Sequence, residues 1–527
     1  IVIVIAAAWW QPWSPRIELA SVERMVLPLP DKPSLAVLPF TNMSDDTAQQ
    51  HFADGMTEDL ITDLSRISGL FVIARNSTFV YKGMSVSIPK VAEDLGVRYV
   101  LEGSVRRAGD QVRVNAQLID ATTGGHIWAD RYDGSVADIF TVQDEFIRKI
   151  VKALAINLTV EEQQEIALGQ TANLKAREIF QEGWEGYLRY SADDNAAAVV
   201  RFKKALELDP EYGRAYAALG LAYLRGCQLR WNKPLGISVG VANAKALQSL
   251  KETKNRPSSL ANVASSRINL YNNMYVVAQT EATRAIVKDP NDPEAYIAKA
   301  WAMITTGQPE VGLELVDRAT RLNPTYPSYY ILARGMAYYA MDDLEKAADV
   351  FSEALERDSG ATELAAVLAS IYAQLADYDK AGATLQLWKP EASQREIQSA
   401  IYIYHFPYDW SGQPEIVDRL IEGMYIAALP PADQIPSLAN ALKHKEKLER
   451  IRAAQLLGRY GQRAGVAVPA LIDALTDEAI SVRREVVIAL GNIGPKAKAA
   501  IPALTAIIDE RIVGYRAKNA ISKISGE

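Results

Sequence analysis

The chain has 527 residues, 49% of them hydrophobic, and a net charge of −7. That length accommodates about three or four domains, and the acidic balance argues against a surface built to neutralise nucleic-acid phosphates. One cysteine, Cys227, excludes an internal disulfide framework and a zinc site built on thiolates, and the four histidines (His51, His126, His405, His444) are too scattered to suggest metal-ligand spacing. No metal or cofactor is expected.

The opening "IVIVIAAAWWQPWSP" places an apolar block before Trp9, Trp10 and Trp13, closed by Pro12 and Pro15. Indoles concentrate where hydrocarbon meets headgroups and proline stops a helix, so residues 1–13 read as the last part of a transmembrane helix, with the three tryptophans at the membrane interface. An edge strand or a leftover signal sequence is the other reading. Residues 14–32 form a polar linker.

From residue 33 to 160 short apolar runs alternate with amphipathic ones. "SLAVLPF" predicts a buried strand. "TEDLITDLSRI" predicts a helix with Thr57 as N-cap and Glu58 and Asp59 in its first turn, where the helix dipole favours anions. "GLFVIAR" predicts a second strand, "VAEDLG" a short helix stopped by glycine, and "RYVLEGSVRRAGDQVRVNAQLIDATTGGHIWADRYDG" a β-meander. Phe140, Val142, Phe146, Ile150, Val151 and Leu154 recur at helical spacing and end the domain on a long amphipathic helix. The acidic group Asp45, Asp46, Asp54, Glu58 and Asp59, and the trio His126, Asp130 and Asp133, show no nucleophile–base pair or three-ligand spacing, so caps and solvated carboxylates explain them better than catalysis.

These segments, with "AVLPFTNMS" and "DIFTVQDE", resemble the TolB-like domain of bacterial membrane-anchored regulators, including relatives of class III adenylate cyclases and CadC-type activators. The resemblance implies a cytoplasmic cyclase or winged-helix module, one membrane span, and a TolB-like domain with helical repeats outside the cytoplasm. It places the chain in the bacterial inner membrane as a single-pass protein with its bulk in the periplasm, and the effector module ahead of residue 1.

Between residues 161 and 395, Asp209-Pro210, Asp289-Pro290 and Asn323-Pro324 recur, the last two prolines 34 residues apart. "AYAALGLAYL", "AYIAKAWAMI" and "YYILARGMAYYAMDDLEKAADVFSEALERD" carry the two-helix plan, which resembles tetratricopeptide repeats; five to six units are expected. Stacked helix pairs form a groove along their first helices. Helical spacing opposite the packing residues selects Leu260, Arg267 and Tyr271, then Glu294, Ile297, Trp301 and Ile304, then Tyr329, Leu332, Met336 and Tyr339 as a partner-binding wall; a register shifted by one residue would make some of these core. Residues 396–432 connect to a C-terminal segment, 433–527, where Pro436, Pro469 and Pro502 recur every 33 residues with Gly458 and Gly491 in step. This resembles HEAT-like repeats, with proline in the first turn and glycine near the helix end. The segment carries 15 Lys or Arg against 10 Asp or Glu, most of them expected on a solvated face, with a patch for an acidic partner or anionic headgroups as the weaker reading.

The fold class expected is therefore α+β: a small N-terminal α/β domain followed by an all-α solenoid. The function expected is a non-enzymatic, membrane-anchored extracytoplasmic scaffold or sensor that binds a membrane-associated protein partner, and no nucleic acid, through its repeats, with an accessory subunit of a larger membrane complex as one version; the sensory half of a one-component regulator is the alternative.

Overall fold

The computed structural model describes residues 19–44, 49–159, 162, 171, 173–357, 362–390, 392, 396–397, 413–429, 432–510 and 512–526. The chain divides into two compact units, Ile1–Met341 with His405–Gln413, and Asp342–Tyr404 with Pro414–Glu527.

The first unit opens on a mixed sheet. Strands β1 (Ser34–Val37), β2 (Thr41–Asn42), β3 (Phe71–Val72), β4 (Tyr99–Ala108), β5 (Gln111–Asp120) and β6 (Gly125–Ser135) lie in the order β3-β1-β4-β5-β6, with β2 also beside β4. Strand β1 runs parallel to β3 and β4, while β4, β5 and β6 form the expected antiparallel meander. Alternate residues of β1 face opposite sides of the sheet. Leu35 and Val37 enter a core closed by helices α1 (Gln50–Ser65), between β2 and β3, and α4 (Ile139–Ala153), after β6. Ala36, with Phe71 and Val100, enters a second core covered by α3 (Ile88–Leu95), which follows the short α2 (Arg75–Phe79). Gly96 stops α3 at φ +61°, as expected.

The start of α1 departs from the sequence reading. The helix begins at Gln50, so Thr57 lies inside it, donating to the Ala53 carbonyl and accepting from the Phe40 amide. Glu58 and Asp59 are not first-turn residues. Both are buried and face outward from the domain towards arginines of the repeats, described below.

Next come α5 (Leu174–Leu188) and α6 (Ala192–Leu208), α7 (Gly213–Gln228) and α8 (Val239–Glu252), α9 (Ser259–Tyr271) and α10 (Tyr275–Lys288), α11 (Pro293–Ile304) and α12 (Pro309–Leu322), and α13 (Ser328–Ala340). The turns after the first helices carry left-handed residues at Tyr190, Arg230, Asn273 and Gly307, with φ between 55° and 80°. A side chain in that region costs on the order of 1 kcal/mol, so the recurrence at non-glycine positions shows that repeat packing dictates these turns.

The second unit continues with α14 (Leu344–Arg357), α15 (Thr362–Gln374), α16 (Tyr378–Trp388) and α17 (Pro414–Ala427). Then follow α18 (Ile435–Ala441), α19 (Lys447–Arg459), α20 (Val468–Ala474), α21 (Ile480–Ile493), α22 (Ile501–Ala506) and α23 (Gly514–Ser525). Pro436, Pro469 and Pro502 sit in the first turns of α18, α20 and α22, as the spacing predicts. Gly458 and Gly491 are not caps: they lie inside α19 and α21, where an added Cβ would come within 3.0 Å of Ala489 on α21 and 3.1 Å of Ala520 on α23. The left-handed glycines just after these two helices are Gly461 and Gly494, also 33 residues apart.

The single-pass inner-membrane placement is corrected. No helix among the described residues is long and apolar enough to cross a membrane. The longest, α6, has 17 residues and carries Asp193, Asp194, Arg201, Lys203, Lys204 and Glu207, against the roughly 20 apolar residues a span needs. The opening segment with Trp9, Trp10 and Trp13 lies outside the described residues.

One partly buried acid, Asp63, sets a pH dependence. Burial pushes the Asp63 carboxyl up to about 6, with Arg66 at 3.3 Å opposing. The folded chain then holds a proton that the unfolded chain has released, so the contribution of Asp63 is most favourable below its ordinary value and is lost as pH rises through about 6. Asp63→Asn is expected to raise stability by about 1–3 kcal/mol at pH 7.5 and to change it little at pH 4, read by urea denaturation at both values.

Candidate functional site

The α/β domain and the first repeats are joined by buried polar chemistry. Asn291, 3% exposed in the loop before α11, donates through Nδ2 to the carbonyls of Ser65 (2.8 Å), Ile67 (3.4 Å) and Leu70 (3.2 Å), and its Oδ1 accepts from the Val72 amide (3.4 Å). One side chain thus serves the end of α1 and the start of β3. Ser65 Oγ donates to Asp289 (2.8 Å), Ser77 Oγ donates to Asn323 (2.7 Å), and the Ala74 amide donates to the Leu322 carbonyl (2.9 Å). Leu322 completes the second core of the sheet. The Asp289-Pro290 and Asn323-Pro324 turns that mark the repeat are therefore also its contacts with the α/β domain.

The acids of α1 supply ion pairs. Asp59 pairs with Arg177 of α5, both under a tenth exposed. Glu58 forms an ion pair with Arg75 at 2.9 Å and lies 3.6 Å from Arg214; burial pushes its carboxyl up, with the two arginines opposing. Asp54 pairs with Lys82, and His51, Asp54 and Glu185 lie within 4.8 Å of one another. Asp130 pairs with Lys149, and Asp133 with Arg113 and Arg131. Asp45 and Asp46 lie outside the described residues.

Between α1, β3 and α2 on one side and the first helices of the repeats on the other lies a cavity of about 310 Å³. Its aromatic wall is Trp184, Tyr187, Tyr190 and Tyr329; its charged groups include Glu58, Arg75, Arg214, Arg225, Arg267 and Glu294. Tyr190 and Tyr329 stack at 6.2 Å and Trp184 and Tyr187 at 5.1 Å between ring centroids. Glu294 accepts from both Tyr329 and Tyr330, and Arg267 approaches it at 3.7 Å. Burial and the neighbouring Glu294 raise both phenols well above the ordinary range, so they act as neutral donors.

Of the partner-wall residues selected from the sequence, Leu260, Arg267, Glu294 and Tyr329 line this cavity, and Tyr271 packs half-buried against the core of the first repeats. Ile297, Trp301, Ile304, Leu332, Met336 and Tyr339 are buried, and that part of the wall is corrected: these side chains lie in the repeat interior. Arg75, Arg214 and Arg225 went unselected, because a lone arginine beside an apolar stripe reads as a solvated edge.

Residues 31–161 match the family described as the second domain of HilA/YgeH-like transcriptional regulators, residues 338–401 match tetratricopeptide repeats, and residues 435–524 match HEAT repeats. The chain thus carries both kinds of helical repeat after a domain similar to one found in transcriptional regulators, and the TolB-like assignment of that domain is not shown. Over 204 residues the chain is 50% identical to putative adenylate cyclase 3 of Rhizobium meliloti (strain 1021), a stretch covering 39% of this chain and 35% of that protein. The chain spans about a third of the length of that curated relative. Among solved structures it is similar to Pseudomonas aeruginosa pilF, with 18% identity, 45% of this chain and 94% of that one covered, and a TM-score of 0.27. It is also similar to the APC/C hetero-tetramer Cut9-Hcn1, with 14% identity, 67% and 63% covered, and a TM-score of 0.36.

Proposed function

We propose that this chain is a non-catalytic interaction portion of a bacterial signalling regulator, gripping a protein partner with its helical repeats. The observation that carries the reading is a groove of about 880 Å³ in the second unit, between α17 and the ends of α19 and α21. Its wall is built from residue types that dominate protein interfaces. The Arg463 guanidinium lies 4.0 Å from the Tyr378 ring centre and Arg459 lies 5.0 Å from that of Tyr425, with Asp418 and Glu422 along the α17 side. Cation–aromatic pairs preorganise a flat, half-apolar surface, and flanking charges of both signs favour a peptide of mixed charge over a uniformly acidic tail. The repeat families and the regulator names of the matched domain and the relative support this reading.

The test is co-purification of the chain from its native cell with quantitative mass spectrometry. A stoichiometric protein partner is expected, retained by Asp349→Asn outside the groove and weakened about tenfold or more by Tyr425→Ala with Arg463→Ala, with melting unchanged. Retention by the double variant would contradict the assignment of the groove, and turnover of ATP by the purified chain would contradict the non-catalytic role.

A further inference from the structure

Arg225 lines the cavity of the first unit from α7 and is only 5% exposed. Its guanidinium lies 3.4 Å from the ring centre of Tyr187 and 4.7 Å from that of Tyr190, and it donates to the Tyr187 carbonyl. Among the described residues no carboxylate pairs with it. The acids around the cavity are engaged elsewhere: Glu58 by Arg75 and Arg214, Glu294 by Arg267 and two tyrosines, Asp289 by Ser65, and Asp292 by the Glu294 amide and Ser259. A buried cation without an anion is costly, and one carbonyl and two ring faces offset that cost only in part. The Tyr187 hydroxyl, on the same wall, is buried with no hydrogen-bond partner among the described residues. A cavity near 300 Å³ with an aromatic wall and a few converging polar groups has the size and character of a small-molecule site.

We propose that this cavity binds a small organic anion bearing a planar ring, its carboxylate or phosphate paired with Arg225 and its ring held against Trp184, Tyr190 and Tyr329. The pairing supplies the missing counter-charge, and the ring replaces water on the aromatic wall. Glu58 and Glu294, already held by donors, select against a second anionic group at those ends of the cavity. The site lies wholly in the first unit and shares no lining residue with the groove assigned to a protein partner.

The test is isothermal titration of the full chain with four probes: AMP and benzoate, which carry both charge and ring, adenosine, which carries only the ring, and inorganic phosphate, which carries only the charge. At least one ring-bearing anion is expected to bind below about 1 mM, with adenosine and phosphate each about tenfold or more weaker. Arg225→Gln is expected to lower that affinity at least about tenfold, and Arg225→Lys to keep more of it. Tyr190→Asn, at a 43% exposed position whose left-handed backbone Asn tolerates, reports on the ring contact without disturbing the core, and a severalfold loss is expected. Absence of binding by both AMP and benzoate, phosphate binding as tightly as AMP, or affinity unchanged in Arg225→Gln and Tyr190→Asn would each overturn the proposal.

Discussion

Asn291→Leu is expected to destabilise the first unit by about 3–5 kcal/mol. The side chain serves three carbonyls and one amide at the junction of α1 and β3, all buried. An unsatisfied buried backbone group costs about 1–3 kcal/mol, and leucine matches the volume while removing every partner at once. Its neighbours Ser65 and Asp289 bond to each other and cannot turn to replace it. Chemical denaturation followed by far-ultraviolet circular dichroism measures the loss; a change below about 1 kcal/mol would show that these carbonyls find other donors.

Arg177→Met comes next, with an expected loss of about 3–5 kcal/mol, because it leaves the Asp59 carboxylate buried with Gln143 as its remaining side-chain donor among the described residues. The double variant Arg177→Met with Asp59→Leu is expected to recover most of that loss, since an apolar pair of similar volume avoids the desolvation that a lone charge suffers. Thermal melting of the two single variants and the double variant gives the coupling directly. Recovery is the diagnostic result: additive losses would mean the two side chains act separately.

The repeats are legible in the sequence because their physics is local. Pro436, Pro469 and Pro502 need only the first turn of a helix, and the Asp-Pro and Asn-Pro turns need only the end of the preceding helix, so both survive as fixed spacings. The longer strands and helices from Ser34 to Ala153 are legible for the same reason, while the short β2 and α2 carry too few residues for a pattern. What Glu58 and Asp59 face is not, since their arginines lie at positions 214 and 177 and nothing local separates such an acid from one beginning a helix. The groove register failed on a related ground. A first helix in a repeat packs against its own partner and both neighbours, so its apolar stripe is wide, and Trp301, Met336 and Tyr339 fall inside the edge that periodicity draws. Arg225 carries no pattern; only burial beside Tyr187 without an acid distinguishes it.

The central structural claim is that the α/β domain and the repeats of the first unit form one cooperative body enclosing the cavity. Native-state hydrogen exchange at the amides that cross the junction tests it most directly: Ala74, which donates to Leu322, and Thr325, which donates to Ser77 at 2.8 Å. Protection matching that of the central strand amides of β4 is the predicted result. Fast exchange at Ala74 and Thr325 while β4 and the repeat helices stay protected would show two bodies that part freely, and would contradict the account.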